Sequence, residues 1–384
     1  MKGKQYLMIP GPTPLPPAVT AAMSMPIIGH RSEDFASLLS VVAGKLKEVF
    51  QTKNDLFVLT NSGTGAMEAA VANVINPGDS VLALITGNFG ERFANIAKAY
   101  SADVDEVNFE WGREVDLRVV EEKLASRSYK AVLATQNETS TGVINDIAGI
   151  SALVSGTDAL LMVDGVSGMG GIELKTDEWK VDIVVTASQK AFMLPPGLSM
   201  ISVSDKAWKI IDQNTSPRFY FSLPAAKKSI AKWNTAYTPN VSLLFGLNAA
   251  LDMMLEEGMK NVYERHLLLA RAARAGVKAL GLKLLAENRC ASPTVTSAFA
   301  PEGYDVENLR KILRKQYGIV FAGGQGHLKG KIFRIAHMGY ADKMDIIIAL
   351  GGLEMALQQI GCKIEPGAGL RAAEKIFLGE EEVS

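Results

Sequence analysis

Four kinds of residue whose chemistry is worth asking about stand at the ends of apolar runs. The run IVVTA ends in Ser188-Gln189-Lys190, and LLMV ends in Asp164. The Leu56–Thr60 run opens into Asn61-Ser62-Gly63-Thr64-Gly65, directly followed by the helix-forming AMEAAVANVI. The Ser80–Thr86 run leads to Gly87-Asn88-Phe89-Gly90, and Ala131–Thr135 to the polar stretch Gln136–Thr141 before Gly142. In open parallel sheets ligands bind beyond the carboxyl ends of the strands, so these positions share one rim. A small hydroxyl-rich turn opening a helix offers free N–H groups and a positive dipole end to an anion, although an ordinary N-cap turn looks the same alone. It is no Walker loop, because no Gly-Lys-Ser/Thr follows. A carboxylate at the edge of a buried layer needs a cation or several donors, so Asp164 either faces a positive ligand atom or caps its own turn. Phe89 is either a core ring or one offered to a ligand. Taken in order, an anion turn, a rim aromatic, a buried-edge acid and a rim lysine describe a site for pyridoxal 5'-phosphate.

Such a rim needs a sheet to build it. The Leu160–Val163, Ile183–Ala187 and Met200–Ser204 runs complete six candidate strands between residues 55 and 205, alternating with helical-period stretches. The fold class is therefore α/β with a mostly parallel central sheet. The Pro-rich arm IPGPTPLPP (within 1–17) cannot be helical and is expected to lie extended, within reach of another subunit. A helix from Met259 to about Leu280 links a large domain, 18–264, to a smaller α+β domain, 265–384, where PTVTSAFAP and GKIFRIAHMG read as strands. The final GEEEVS reads as a solvated acidic tail.

Composition narrows the function further. The 384 residues carry 40 Lys plus Arg against 41 Asp plus Glu, a net charge of −1, too balanced for a phosphate-backbone surface, so nucleic acid is not expected as a partner. Cys290 and Cys362 cannot hold an iron–sulfur cluster, and four histidines show no zinc spacing, so no metal is expected. No apolar run approaches the ~18 residues of a membrane span, and the start lacks a secretory h-region, so a cytoplasmic protein with no membrane partner is expected.

The pieces IPGPTPLPP, GHRSEDF, NSGTGAMEAA, GNFGERF, QNETSTGV, VDGVSGMGG, ASQKAFMLPPG, YTPN and GGQGHLKGKIFRIAHMG, from residue 9 to 339, together make the chain resemble the class V aminotransferases. Within that group of fold type I pyridoxal phosphate enzymes it is similar to the alanine:glyoxylate and serine:pyruvate or serine:glyoxylate aminotransferases. The resemblance implies that Lys190 is the Schiff-base lysine and Asp164 the partner of the pyridine nitrogen. It places Ser62, Gly63, Thr64 and Gln189 at the phosphate and Phe89, where relatives often carry Trp, over the ring. Thr139 would bond the phenolic oxygen. Thr238 would reach the phosphate of a neighbouring subunit, which implies a homodimer with shared sites. Arg334 would hold the substrate carboxylate by a two-point contact that lysine cannot make, though the residue alone reads equally as an exposed strand arginine. His30, Arg31 and His337 lie in matching motifs but are left out of the catalytic set.

The implied reaction is ping-pong transamination from a small amino acid, alanine or serine, to glyoxylate or another small 2-oxo acid, with Lys190 as the base. Another class V enzyme, such as a cysteine desulfurase, is the alternative, but it needs a nucleophilic thiolate that neither cysteine's surroundings suggest. A nicotinamide dehydrogenase would need Gly-x-Gly-x-x-Gly after the first strand, which is absent. A non-catalytic subunit of a redox complex would not need this set of residues.

Overall fold

The computed structural model describes residues 4–380, so the last four residues of the acidic tail lie outside it. The large lobe is built on a seven-stranded sheet in the order Asp55–Leu59, Ser199–Val203, Ile183–Ala187, Leu160–Asp164, Ala131–Thr135, Ser80–Ile85, Asp103–Asn108. Six strands run one way, and Ser199–Val203 alone is antiparallel to both of its neighbours. The reversal has a simple cause. Ile183–Ala187 and Ser199–Val203 are adjacent strands joined by the loop 188–198, too short for a crossover helix, so the second strand must return antiparallel. That loop carries Lys190.

Apolar side chains pack on both faces of the sheet. One cluster includes Phe35, Leu46, Leu82, Leu161, Val184 and Leu247, the other Phe57, Met67, Val71, Leu133, Met162 and Ile201. Burial on both faces explains why these strands read as continuous apolar runs rather than alternating ones. Asp103–Asn108 was missed in the sequence. As one of the sheet's two outer strands it carries Asp103, Asp105 and Glu106, charges of the kind that keep an edge from pairing with other chains, and they hide its strand pattern.

The smaller lobe holds a four-stranded sheet in the order Tyr6–Met8, Ile319–Gly323, Ile332–Ala336, Val295–Phe299. Two of these strands were not expected. Tyr6–Met8 belongs to the N-terminal arm and pairs in parallel with Ile319–Phe321, so the arm is stitched into the lobe formed by the other end of its own chain. Helix Met259–Ala279 joins the lobes, with Met259 packed against the large core and Leu269, Ala272, Ala273 and Val277 buried in the small one. Among the described residues no helix is long and apolar enough to cross a membrane.

Candidate active site

Sheet register brings the candidate residues together. Thr135 pairs with Asp164 and Asp164 with Val185, while Ala187 and Leu59 flank Ser199, so Asp164, the Lys190 loop and the turn after Leu59 share one rim. Ser62 caps helix Gly63–Val74, its side chain accepting the Gly65 N–H at 3.2 Å. The N–H groups of Gly63 and Thr64 then open the helix without intrahelical acceptors, as an anion requires. Gly63 is fixed by space: a Cβ there would lie 2.9 Å from Val166 and 3.2 Å from Ala187.

Asp164 is buried at 3% exposure, and its Oδ1 accepts the Val166 N–H at 2.8 Å. Burial, reinforced by the negative Glu138, pushes its pKa up to about 7. Lys190 is pushed the other way. Burial first, and then the charge of Arg334, lower its pKa to about 8. Its Nζ donates to the Pro10 carbonyl, and Thr13 Oγ1 donates to the Lys190 carbonyl at 3.0 Å. The N-terminal arm therefore lies over the lysine of its own chain. Gly11, at φ +106°, makes this approach possible, since a Cβ would fall 2.8 Å from Lys190 Cδ. The arm's place over Lys190 has no local signal in the sequence, which led only to an extended segment within reach of another subunit.

Thr139 Oγ1 donates to Ser167 Oγ at 2.8 Å, and Ser167 Oγ in turn to the Asn137 carbonyl at 2.7 Å. Asn137 Nδ2 continues the network across the lobes to Thr294 Oγ1 at 3.0 Å. Arg334, 7% exposed on strand Ile332–Ala336, donates from Nε to the Gly323 carbonyl at 2.9 Å and from Nη1 to the Thr139 carbonyl at 2.8 Å. It is thus no surface arginine. Burial lowers its pKa to about 10, which leaves it a cation at neutral pH.

Phe89 is half-buried at the start of helix Asn88–Ala99, with the Arg92 guanidinium 4.7 Å from its ring centroid. Arg92 Nη1 also donates to Thr64 Oγ1 at 3.2 Å. Neither Arg92 nor Glu138 was singled out from the sequence; a strand-end position alone does not reveal which neighbour a long side chain will reach. Arg31 binds the Thr235 carbonyl at 2.6 Å and the Asn234 side chain, beside the segment carrying the exposed Thr238. His337 is fully buried between the Thr296 hydroxyl at 2.9 Å and the Pro293 carbonyl at 3.0 Å.

The donor set suits pyridoxal phosphate. A helix start offers unpaired N–H groups to an anion, a buried acid of raised pKa shares the rim with a partly neutral lysine, and Gln189 Oε1 is buried without a hydrogen-bond partner among the described residues. The aminotransferase class-V family model matches residues 5–338. The chain belongs to the class V aminotransferase family. This class V chain is 47% identical to an uncharacterized aminotransferase of Methanocaldococcus jannaschii, with 98% of each chain covered. It is 42% identical to a soluble hydrogenase small subunit of a Synechococcus species, covering 98% of this chain and 99% of that one. To a serine–glyoxylate aminotransferase of Methylorubrum extorquens it is 39% identical, with 100% and 98% covered. The ureidoglycine–glyoxylate aminotransferase structure of Bacillus subtilis superposes on the class V chain with a TM-score of 0.94 at 33% identity, covering 98% and 99%. The architecture is that of the fold type I pyridoxal phosphate transferases.

Proposed function

We propose that this class V aminotransferase moves the amino group of alanine or serine to glyoxylate or another small 2-oxo acid, as a homodimer carrying pyridoxal phosphate on Lys190. The observation that carries this reading is Arg334: a buried guanidinium on the small lobe, tied to the Thr139 carbonyl at 2.8 Å and close enough to Lys190 for its charge to lower the lysine's pKa. It would grip one carboxylate. Arg31, the other arginine in a family motif, is engaged with Asn234 and Thr235, which favours substrates without a second carboxylate. Glyoxylate is the acceptor named for the Methylorubrum and Bacillus relatives.

When bound, pyridoxal phosphate supplies an electron sink for the pair left behind as the substrate α-proton departs. Ser62, Gly63, Thr64 and Gln189 would hold its phosphate, Phe89 its ring and Thr139 its phenolic oxygen. Asp164 would keep the ring nitrogen protonated. Lys190 Nζ, lowered to about 8 by burial, is partly neutral at physiological pH and serves as the base for the α-proton. Cys290 is buried with its thiol pushed up by burial, the opposite of what a desulfurase nucleophile needs.

Borohydride treatment of the yellow protein should attach the pyridoxyl group to Lys190. A colourless protein, or a label on another lysine, overturns the site and favours a role as a subunit of a larger complex, as in the soluble hydrogenase small subunit named for the Synechococcus relative. In a donor and acceptor panel, alanine or serine with glyoxylate should give the highest kcat/KM, and faster turnover of glutamate with pyruvate overturns the substrate class. Thr238, exposed on this chain, would reach the phosphate of a second copy. Dilution to monomer should then lose colour and activity together, and an active monomer in sedimentation refutes the shared site.

A further inference from the structure

Glu138 is fully buried, and its carboxylate is surrounded by donors. Oε2 accepts the N–H groups of Phe89 and Gly90, each at 3.0 Å; Oε1 accepts the Ser140 N–H at 3.0 Å and the Ser140 hydroxyl at 2.5 Å. Three of these partners are backbone N–H groups, which cannot accept. These three contacts need the carboxyl's lone pairs in either charge state, while the Ser140 hydroxyl can donate or accept, so the group stays fully partnered although burial pushes its pKa up.

This carboxyl group performs two tasks at once. Helix Asn88–Ala99 has Gly87 at its N-cap and no side-chain cap of its own; Glu138 supplies the missing acceptor from a distant segment and fixes the turn that carries Phe89. Gly87 is required by space, since a Cβ would lie 2.5 Å from Glu138 Cγ and from Ser140 Oγ. The next residue along the chain, Thr139, gives its carbonyl to Arg334 Nη1 at 2.8 Å.

We infer that Glu138 is a positioning residue that sets the spacing between the Phe89 ring and the Arg334 guanidinium, so that cofactor and substrate carboxylate depend on one buried anchor. The inference rests on the site assignment proposed above.

Glu138→Gln tests it. The amide can turn its NH2 toward the Ser140 hydroxyl, which can rotate to accept, and keep its oxygen on Phe89 and Gly90. The Ser140 N–H then loses its acceptor. Four quantities should be measured together: melting temperature, affinity of the cofactor-free protein for pyridoxal phosphate, visible circular dichroism of the loaded enzyme, and KM for the amino donor. Leaving one buried donor without its acceptor corresponds to about tenfold. Glu138→Gln should therefore weaken cofactor affinity and raise donor KM by about tenfold each, and diminish the dichroic band. Phe89→Leu should move chiefly the affinity, and Arg334→Lys chiefly the KM. A folded Glu138→Gln protein that changes neither quantity, or only one, overturns the inference. If Glu138→Gln does not fold, Ser140→Ala decides: it should shift both quantities in the same direction by a smaller factor, and a shift in neither overturns the proposal. Failure of the wild-type chain to bind pyridoxal phosphate would instead refute the site assignment.

Discussion

Asp164 and Lys190 are each pushed toward the charge state that water would not choose. Burial raises the acid to about 7 and lowers the amine to about 8, so near neutral pH the cofactor-free chain carries an acid kept partly protonated and a lysine kept partly neutral. Both shifts cost stability. Asp164, raised from 3.8, weakens the fold as pH climbs from about 4 toward 7, and Lys190, lowered from 10.5, weakens it as pH falls from about 10 toward 8. Asp164→Asn should therefore stabilise the cofactor-free protein at pH 8, on the order of 2–4 kcal/mol in denaturant unfolding, while abolishing most transamination. An Asp164→Asn protein less stable than wild type would show that Asp164 already has a cation partner. The types and strand-end positions of these two residues were legible in the sequence. Their opposed shifts were not, because desolvation depends on what the fold packs around them.

At the scale of elements, the decisive piece is the start of helix Gly63–Val74. Its Ser62 cap and apolar run were readable, but the reason for Gly63 was not: the position faces Val166, in the turn after the Asp164 strand, and Ala187 at the end of another strand. Gly63→Ala should force the turn away from the Asp164 strand. We expect a loss of about 1–3 kcal/mol in stability together with weaker pyridoxal phosphate binding, measured by unfolding and by titration of the cofactor-free protein. Unchanged affinity would separate this turn from the phosphate. The N-terminal arm makes a similar point. Its prolines exclude a helix, yet nothing local to Tyr6–Met8 announces that Ile319–Phe321 will be its partner, because pairing between chain ends has no local pattern.

Across the whole molecule, the site exists only where the lobes meet. Arg334 and Thr294 come from the small lobe, Thr139 and Asn137 from the large one, and the Trp111 ring lies 4.2 Å from that of His327. Two buried histidines stand near this junction. His266 accepts the Gly339 N–H at 2.9 Å and donates to the Val262 carbonyl at 2.6 Å, and burial lowers its pKa to about 4. His337 is lowered likewise to about 3. Both are buried neutral, so the unfolded chain takes up protons first and stability falls as pH drops below the unfolded value of 6.5. Between pH 7 and 5 each should remove about 2 kcal/mol. Asp164 acts in the opposite direction over that window, so the effect should be read as a difference: His337→Gln should show a smaller stability loss than wild type between those two pH values. An identical loss would mean that His337 does not titrate on unfolding. The sequence alone determined the parallel strands, the lobe-linking helix and the order of chemical groups along one rim, because a sheet buried on both faces imposes long apolar runs and leaves polar residues at strand ends. Only the tertiary structure decided that the arm covers Lys190, that Glu138 anchors Phe89, and that Arg334 is buried against Thr139. These are contacts between residues far apart in the chain, and no local periodicity encodes which of them meet.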